Sequence, residues 1–263
     1  MKNNSILIAS TFRIASTFAL VAGLFAATPA AAANIAEPES VSWSFDGIFG
    51  TFDRAAIRRG FRIYREVCSN CHGLDFLSYR NLQEVGFTKK EVKAIAAEYE
   101  VTDGPNDEGD MFKRPAKPSD RFVSPYPNAN AARAANNGAL PPDLSLIIKA
   151  REGGADYVHA ILTGYKDEAP DGKPLPDGMY YNTYFPGHNI AMPPPLDDGA
   201  VDYADGTKAT LDRESRDVVT FLAWAAEPTM EKRKRLGIKV MLFLLVLTGM
   251  LYALKRKIWA NLH

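Results

Sequence analysis

The sequence predicts a mainly α fold: a domain with long Pro/Gly-rich insertions, followed by one C-terminal transmembrane helix. Three observations carry that expectation. Behind Asp53, a residue suited to capping a helix, Ala56, Ile57, Gly60, Phe61, Tyr64, Val67 and Cys68 fall along one helical stripe. Residues 101–200 hold 14 of the 17 prolines and 10 of the 19 glycines, so regular structure is repeatedly broken there. Residues 236–254 are a 19-residue apolar run whose only charge is Lys239. At about 1.5 Å per residue that helix reaches about 28 Å, close to the hydrocarbon thickness of a bilayer. Lys239 lies near its end and can snorkel. No internal repeat and no alternating βαβ pattern is present.

In chain order, Lys2 and Arg13 lead into an apolar stretch, residues 14–25, and then into Ala30-Ala31-Ala32-Ala33. A basic start, a short apolar core and an A-x-A-like end mark residues 1–33 as a secretory signal peptide. An N-terminal anchor and an organelle transit peptide are the other readings of this segment. The exported domain then spans residues 34–230. Helices are expected over 53–67, 88–99, 144–151, 156–162 and 211–226, the last ended by Glu227-Pro228. Loops as long as those between them keep one shape when something central organises them. Residues 231–263 form the anchor. Basic clusters lie on both sides of the span, at 232–235 and 255–257, so the positive-inside rule leaves its orientation open. The export signal decides it, with the domain outside and residues 255–263 inside.

The chain has 31 basic and 31 acidic side chains, but its ends are basic, which leaves residues 34–230 with 21 basic and 30 acidic groups, a net of −9. Acids gather at Asp103, Asp107, Glu108 and Asp110, at Asp167, Glu168 and Asp171, and at Asp197, Asp198, Asp202 and Asp205. With 46% apolar and 24% charged residues and only two cysteines, the chain is not disordered, collagen-like or disulfide-dense.

Both cysteines sit in Cys68-Ser69-Asn70-Cys71-His72, the attachment pattern of c-type haem. Two thiols one turn apart can add to two vinyl groups, and the adjacent histidine then reaches the iron. One motif means one haem. A zinc site wants four ligands, a thioredoxin-like dithiol opens a helix rather than ending one, and a disulfide across two residues constrains almost nothing. The sixth iron ligand is sought among Met111, Met179, Met192, His159 and His188. Met192 stands out because Ile190-Ala191-Met192-Pro193-Pro194-Pro195-Leu196 is stiff, and a stiff loop lowers the entropic cost of holding a weak thioether ligand. A methionine filling a core gap remains the competing reading. An open distal site would instead suit a haem enzyme or gas sensor.

Beyond the haem motif, the chain contains Ala131-Ala132-Arg133-Ala134-Ala135-Asn136-Asn137-Gly138-Ala139-Leu140-Pro141-Pro142-Asp143-Leu144-Ser145, then Tyr180-Tyr181-Asn182, Met192-Pro193-Pro194-Pro195 and Trp224-Ala225-Ala226-Glu227-Pro228. This set resembles the cytochrome c1 family, the haem subunit of the quinol:cytochrome c oxidoreductase (bc1) complex, from about Trp43 to the C-terminus. The resemblance implies a class I cytochrome c-like core and one haem c bound through Cys68 and Cys71. It makes His72 and Met192 the iron ligands, Arg133 the partner of a haem propionate, and Pro141 and Pro142 the stretch packed on the histidine side. A carbonyl of that stretch could accept the His72 ring N–H. Tyr126, Tyr180, Tyr181 and Tyr184 are candidate pocket residues. Some bacterial members bridge the loop before the methionine with two extra cysteines, which this chain lacks. Residues 112–125 match no motif.

The implied function is electron transfer from a Rieske iron-sulfur protein to a soluble basic cytochrome c, in a complex that also holds cytochrome b. No bond is made or broken by the chain itself. The implied location is the bacterial inner membrane, in contact with lipid, with the haem domain in the periplasm. No nucleic-acid partner is expected. The alternative is a free-standing anchored cytochrome carrying electrons to a terminal oxidase or reaction centre.

Overall fold

Asp53 caps helix α1 (Arg54–Glu66) by accepting the backbone N–H groups of Ala55 and Ala56. The stripe behind it is buried: Ala56, Ile57, Gly60, Phe61, Ile63 and Tyr64. The computed structural model describes residues 36–260 apart from 171 and 173, so the expected signal peptide lies outside the described residues. Helix α2 (Lys89–Ala97) starts at the capping box that Thr88 forms with Glu91. Next come α3 (Ala129–Ala135), the single turn α4 (Ile147–Ala150), α5 (Gly154–Thr163), α6 (Leu211–Ala226) and α7 (Met230–Trp259). Two short 3-10 segments, Cys68–Asn70 and Tyr79–Val85, lie between α1 and α2.

The core forms where α1 crosses α6. A Cβ on Gly60 would lie 2.0 Å from the Asp217 carbonyl oxygen and 2.8 Å from Phe221 Cβ, so this approach requires glycine. Phe61 and Tyr64 each bring their ring centroids within 5.7 Å of Phe221, and Trp224 packs beside it, 1% exposed. Tyr79 and Phe122 stack at 4.5 Å below them. Each such side chain contributes about 1.5–3 kcal/mol by leaving water.

Helix α6 is enclosed so completely that Glu214, Ser215, Asp217 and Thr220 are buried too. The Arg59 guanidinium donates to both Asp217 oxygens, at 2.7 and 3.0 Å, and to Asp205 at 3.0 Å. Glu214 accepts the Val201 N–H at 2.9 Å, which ties the loop after Met192 to α6, and burial holds its carboxyl above the usual range.

The Pro/Gly-rich half contains more regular structure than its composition implied. Strands β1 (Glu100–Asp103) and β2 (Phe112–Pro115) form an antiparallel hairpin with Glu100 opposite Pro115. Strands β3 (Tyr165–Lys166), β4 (Tyr180–Asn182) and β5 (Asn189–Ile190) form a small antiparallel sheet in that order. Segments of two to four residues are too short to show a period. Helix α3 is also shorter than the periodicity can detect, although Asn128 caps it by accepting the Ala131 N–H. The expected helix over 144–151 is cut to the single turn 147–150, while Leu144 and Ser145 donate their N–H groups to Gly73 O and to the Asp143 carboxylate.

Helix α7 follows Pro228 directly. Glu231 takes the Phe52 N–H at 2.9 Å and Arg54 at 2.8 Å, and Lys234 donates to the carbonyls of Phe45 and Gly50 at 2.7 and 3.2 Å. Past these contacts its apolar residues are exposed, and the helix is long and apolar enough to cross a membrane.

Candidate functional site

The site begins where α1 ends. The last carbonyls of a helix need donors, and the two residues between the cysteines supply them. Ser69 Oγ donates to Arg65 O at 2.8 Å, and Asn70 Nδ2 donates to Glu66 and Val67 at 3.2 and 3.1 Å. The N–H groups of Cys71 and His72 both return to the Cys68 carbonyl, at 3.1 and 2.9 Å. One tight turn therefore carries both thiols and delivers His72 immediately after it. Cys68 and Cys71 are free and half-buried, and burial pushes the Cys68 thiol up to about 12, which keeps it protonated.

His72 is oriented by a second segment. Its Nδ1 lies 2.7 Å from the Pro142 carbonyl. A carbonyl only accepts, so Nδ1 carries the proton and Nε2 keeps its lone pair. Burial lowers the His72 pKa, which favours the neutral ring that binds metals. Around this bond the two segments are stitched together. Leu144 N–H donates to Gly73 O at 2.9 Å, Asp75 N–H to Asp143 Oδ2 at 2.8 Å and Phe76 N–H to Ser145 Oγ at 3.1 Å, while Tyr64 OH donates to His72 O at 3.1 Å. Pro141, half-buried, precedes this seam. Paired thiols, a tautomer-fixed histidine and a buried aromatic floor fit a covalently held haem.

Of the other expected residues, Tyr126 lies with its OH 4.0 Å from Cys71 Sγ and accepts from Asn136 at 3.1 Å. Arg133 is exposed on α3 and donates one nitrogen to Gly138 O at 3.0 Å. Met192 is half-buried, and its carbonyl accepts from Tyr165 OH at 3.0 Å. Tyr181 stacks on His188 at 5.3 Å, and a Cβ at Gly164 would lie 2.5 Å from the Tyr184 ring. Tyr180 is exposed on β4. His188 Nδ1 contacts Asn182 O at 3.2 Å, His159 Nε2 contacts Asp212 at 3.2 Å, and Met111 is 61% exposed.

Sequence reasoning missed Asp143, Ser145 and Tyr165. The first two follow directly on the Pro-Pro pair, and Asp-x-Ser is a local hydrogen-bonding pattern that could have flagged them. No local signal points to Tyr165.

The acidic runs divide in two. Asp103 is spent on Arg114, which also takes Asp120, and this pairing holds Asp103 below the usual carboxylate range. Asp198 accepts the Leu211 N–H, and Asp205 belongs to Arg59. These three are structural. Asp107, Glu108 and Asp110 are exposed on the β1–β2 hairpin, as are Asp167 and Glu168 beyond β3, whereas Asp171 lies outside the described residues.

Residues 43–262 match the family model described as the Cytochrome C1 family. Over 248 residues the chain is 51% identical to cytochrome b/c1 of Bradyrhizobium diazoefficiens, covering 86% of this chain and 36% of that protein. It is 49% identical over 235 residues to cytochrome c1 of Rhodospirillum rubrum, covering 83% of this chain and 86% of that one. Mitochondrial cytochrome c1 heme protein of Saccharomyces cerevisiae is 52% identical over 221 residues, covering 84% and 72%.

Proposed function

Since the chain belongs to the cytochrome c1 family, with haem c as its cofactor and the bc1 complex as its assembly, we propose that it takes an electron from the Rieske iron-sulfur protein and delivers it to a soluble basic cytochrome c. Its membrane helix fits a bacterial membrane, and the haem domain is proposed to face the periplasm. The bound haem supplies a one-electron iron couple. Cys68 and Cys71 would hold it covalently, and His72 Nε2 and Met192 Sδ would ligate the iron. Pro142, by accepting the Nδ1 proton, would strengthen the imidazole as a ligand. The observation that carries this reading is the 2.7 Å bond from His72 to Pro142 directly beside the paired thiols.

The relative named cytochrome b/c1 joins a b part to the c1 part in one protein, which favours cytochrome b as a fixed partner over a free-standing carrier. The few residues between α6 and α7 leave no shuttle linker. Gentle detergent extraction with haem staining tests this. Cytochrome b and a Rieske protein are expected to co-purify, and a haem-stained chain recovered alone would overturn the proposal.

Arg133, which among the described residues donates from one guanidinium nitrogen only, to Gly138 O, is proposed to meet a haem propionate. Arg133→Gln removes a positive charge beside the iron, so the potential is expected to fall, by less than for loss of a ligand. A redox titration identical to that of the parent would reduce Arg133 to a cap of the Gly138 carbonyl.

The net charge of −9 favours electrostatic docking of a basic acceptor. Electron transfer to a basic cytochrome c is expected to slow steeply as salt shortens the Debye length from about 10 Å at 0.1 M. Neutralising Asp107, Glu108 and Asp110 together leaves the Arg114 ion pairs intact and is expected to flatten that dependence if the hairpin is the docking face. Stopped-flow rates across a salt series measure it, and a salt-independent parent rate would exclude electrostatic docking.

A further inference from the structure

The chain before α1 builds a tight turn that holds two large apolar side chains in the open. Ile48 is 68% and Phe49 83% exposed, the latter more than any large apolar residue on α7. The turn is fixed on both sides. Trp43 N–H donates to Asp46 Oδ2 at 3.0 Å, Asp46 N–H to Trp43 O at 3.1 Å and Thr51 N–H to Ser44 O at 2.9 Å. Trp43 is pinned in turn by Asp156, which accepts its indole N–H at 2.6 Å, and Phe45 packs between Trp43 and Phe52. Gly47 has φ +68°, and a Cβ on Gly50 would lie 2.0 Å from Asp46 O, so the loop folds this sharply only with glycine at both places. Such rigidity is hard to reconcile with Ile48 and Phe49 being left in water by chance.

The place of the turn identifies what covers it. Lys234, on α7, donates to the carbonyls of Phe45 and Gly50, on the two arms of this turn. Lys234 is two residues before the apolar run, about 3 Å along the helix axis. The turn therefore sits beside the first turn of the membrane-crossing segment, at the level of Lys232, Arg233 and Arg235, where lipid phosphates lie. We propose that Ile48 and Phe49 form a membrane-dipping finger, inserted among the lipid headgroups and upper acyl chains next to α7. It would act as a second contact with the bilayer and fix the tilt and height of the haem domain. Two side chains suit burial about 5–10 Å into the interface. They are far short of the roughly 800 Å² that one partner contributes to a stable protein interface. The turn is tied to α7 through Lys234, so the finger and the start of the apolar run meet the same face of the bilayer.

Spin labelling tests this on the full haem-loaded chain in bilayer discs of equal phosphatidylcholine and phosphatidylglycerol. With both native cysteines holding haem, Phe49→Cys presents the single free thiol, and Leu245→Cys and Asp107→Cys serve as references in the span and on the exposed hairpin. The label at 49 is expected to be relaxed more by oxygen than by a water-soluble nickel chelate, with a ratio between that at 245, in the middle of the span, and that at 107. Ile48→Cys should give the same result. A ratio matching the 107 label would overturn the proposal. An immobile label reached by neither reagent would overturn it too, and would assign the turn to a protein partner. Haem content and melting temperature equal to the parent's confirm that the labelled chains are folded.

Discussion

Replacing Met192 by leucine is expected to leave the haem covalently attached while its reduction potential falls by on the order of a few tenths of a volt, a sizeable share of the about 0.8 V that axial ligation spans. Leucine keeps the size and apolar character of the side chain, so the loop should stay packed. What disappears is the sulfur, and methionine opposite histidine raises the potential. The reduced variant is also expected to bind carbon monoxide, which the parent should refuse. The Met192 loop is held, since Tyr165 OH donates to the Met192 carbonyl at 3.0 Å and three prolines follow it. Met111 and Met179 are 61% and 38% exposed on loops, where a weak ligand would have to be immobilised from scratch. A redox titration with an unchanged midpoint would move the ligand to one of those two.

How much of this was legible in the sequence depends on the range of the forces involved. Helix α6 matches its expected limits at both ends, and α1 lies within its own, because a capping side chain and a 3.6-residue period act within a few positions. The thiol pair and His72 were equally plain, since the turn that presents them is five contiguous residues. The seam between residues 72–76 and 142–145 joins segments about seventy positions apart, and nothing in either one alone announces the other. Only the resemblance suggested a carbonyl near His72. The shortened helix at 144–151 lies on the same seam: its apolar pattern is helical in period, yet Leu144 and Ser145 are drawn into bonds with Gly73 and Asp143 that no local pattern announces. Charge was the least legible feature. Asp103, Asp198 and Asp205 count toward the −9 of residues 34–230 as fully as Asp107 does, but each of the three is spent on an internal donor.

The substitution Gly60→Ala, conservative in sequence, is expected to be strongly destabilising. Its Cβ would sit 2.0 Å from the Asp217 carbonyl oxygen, 2.6 Å from its carbon and 2.8 Å from Phe221 Cβ. Two of those three atoms are backbone, so no rotamer change can clear them. The only relief is to move α1 and α6 apart, and that loosens Ile57, Phe61 and Tyr64 against Val218, Phe221 and Trp224 together. It also pulls Arg59 off the buried Asp217 carboxylate, whose charge then loses its partner. Overpacking alone costs about 1–3 kcal/mol. With the ion pair strained as well, a loss of at least about 3 kcal/mol is expected, or a fall in Tm of roughly 6–12 °C for a domain of this size. Because the Cys68–His72 turn is the direct continuation of α1, the same displacement should reach the ligand set. The variant should bind carbon monoxide in part even with Met192 intact. Calorimetry of the haem-loaded chain decides the matter. A Tm within a degree or two of the parent would mean that the helices accommodate the methyl and that this crossing is not the rigid frame of the site.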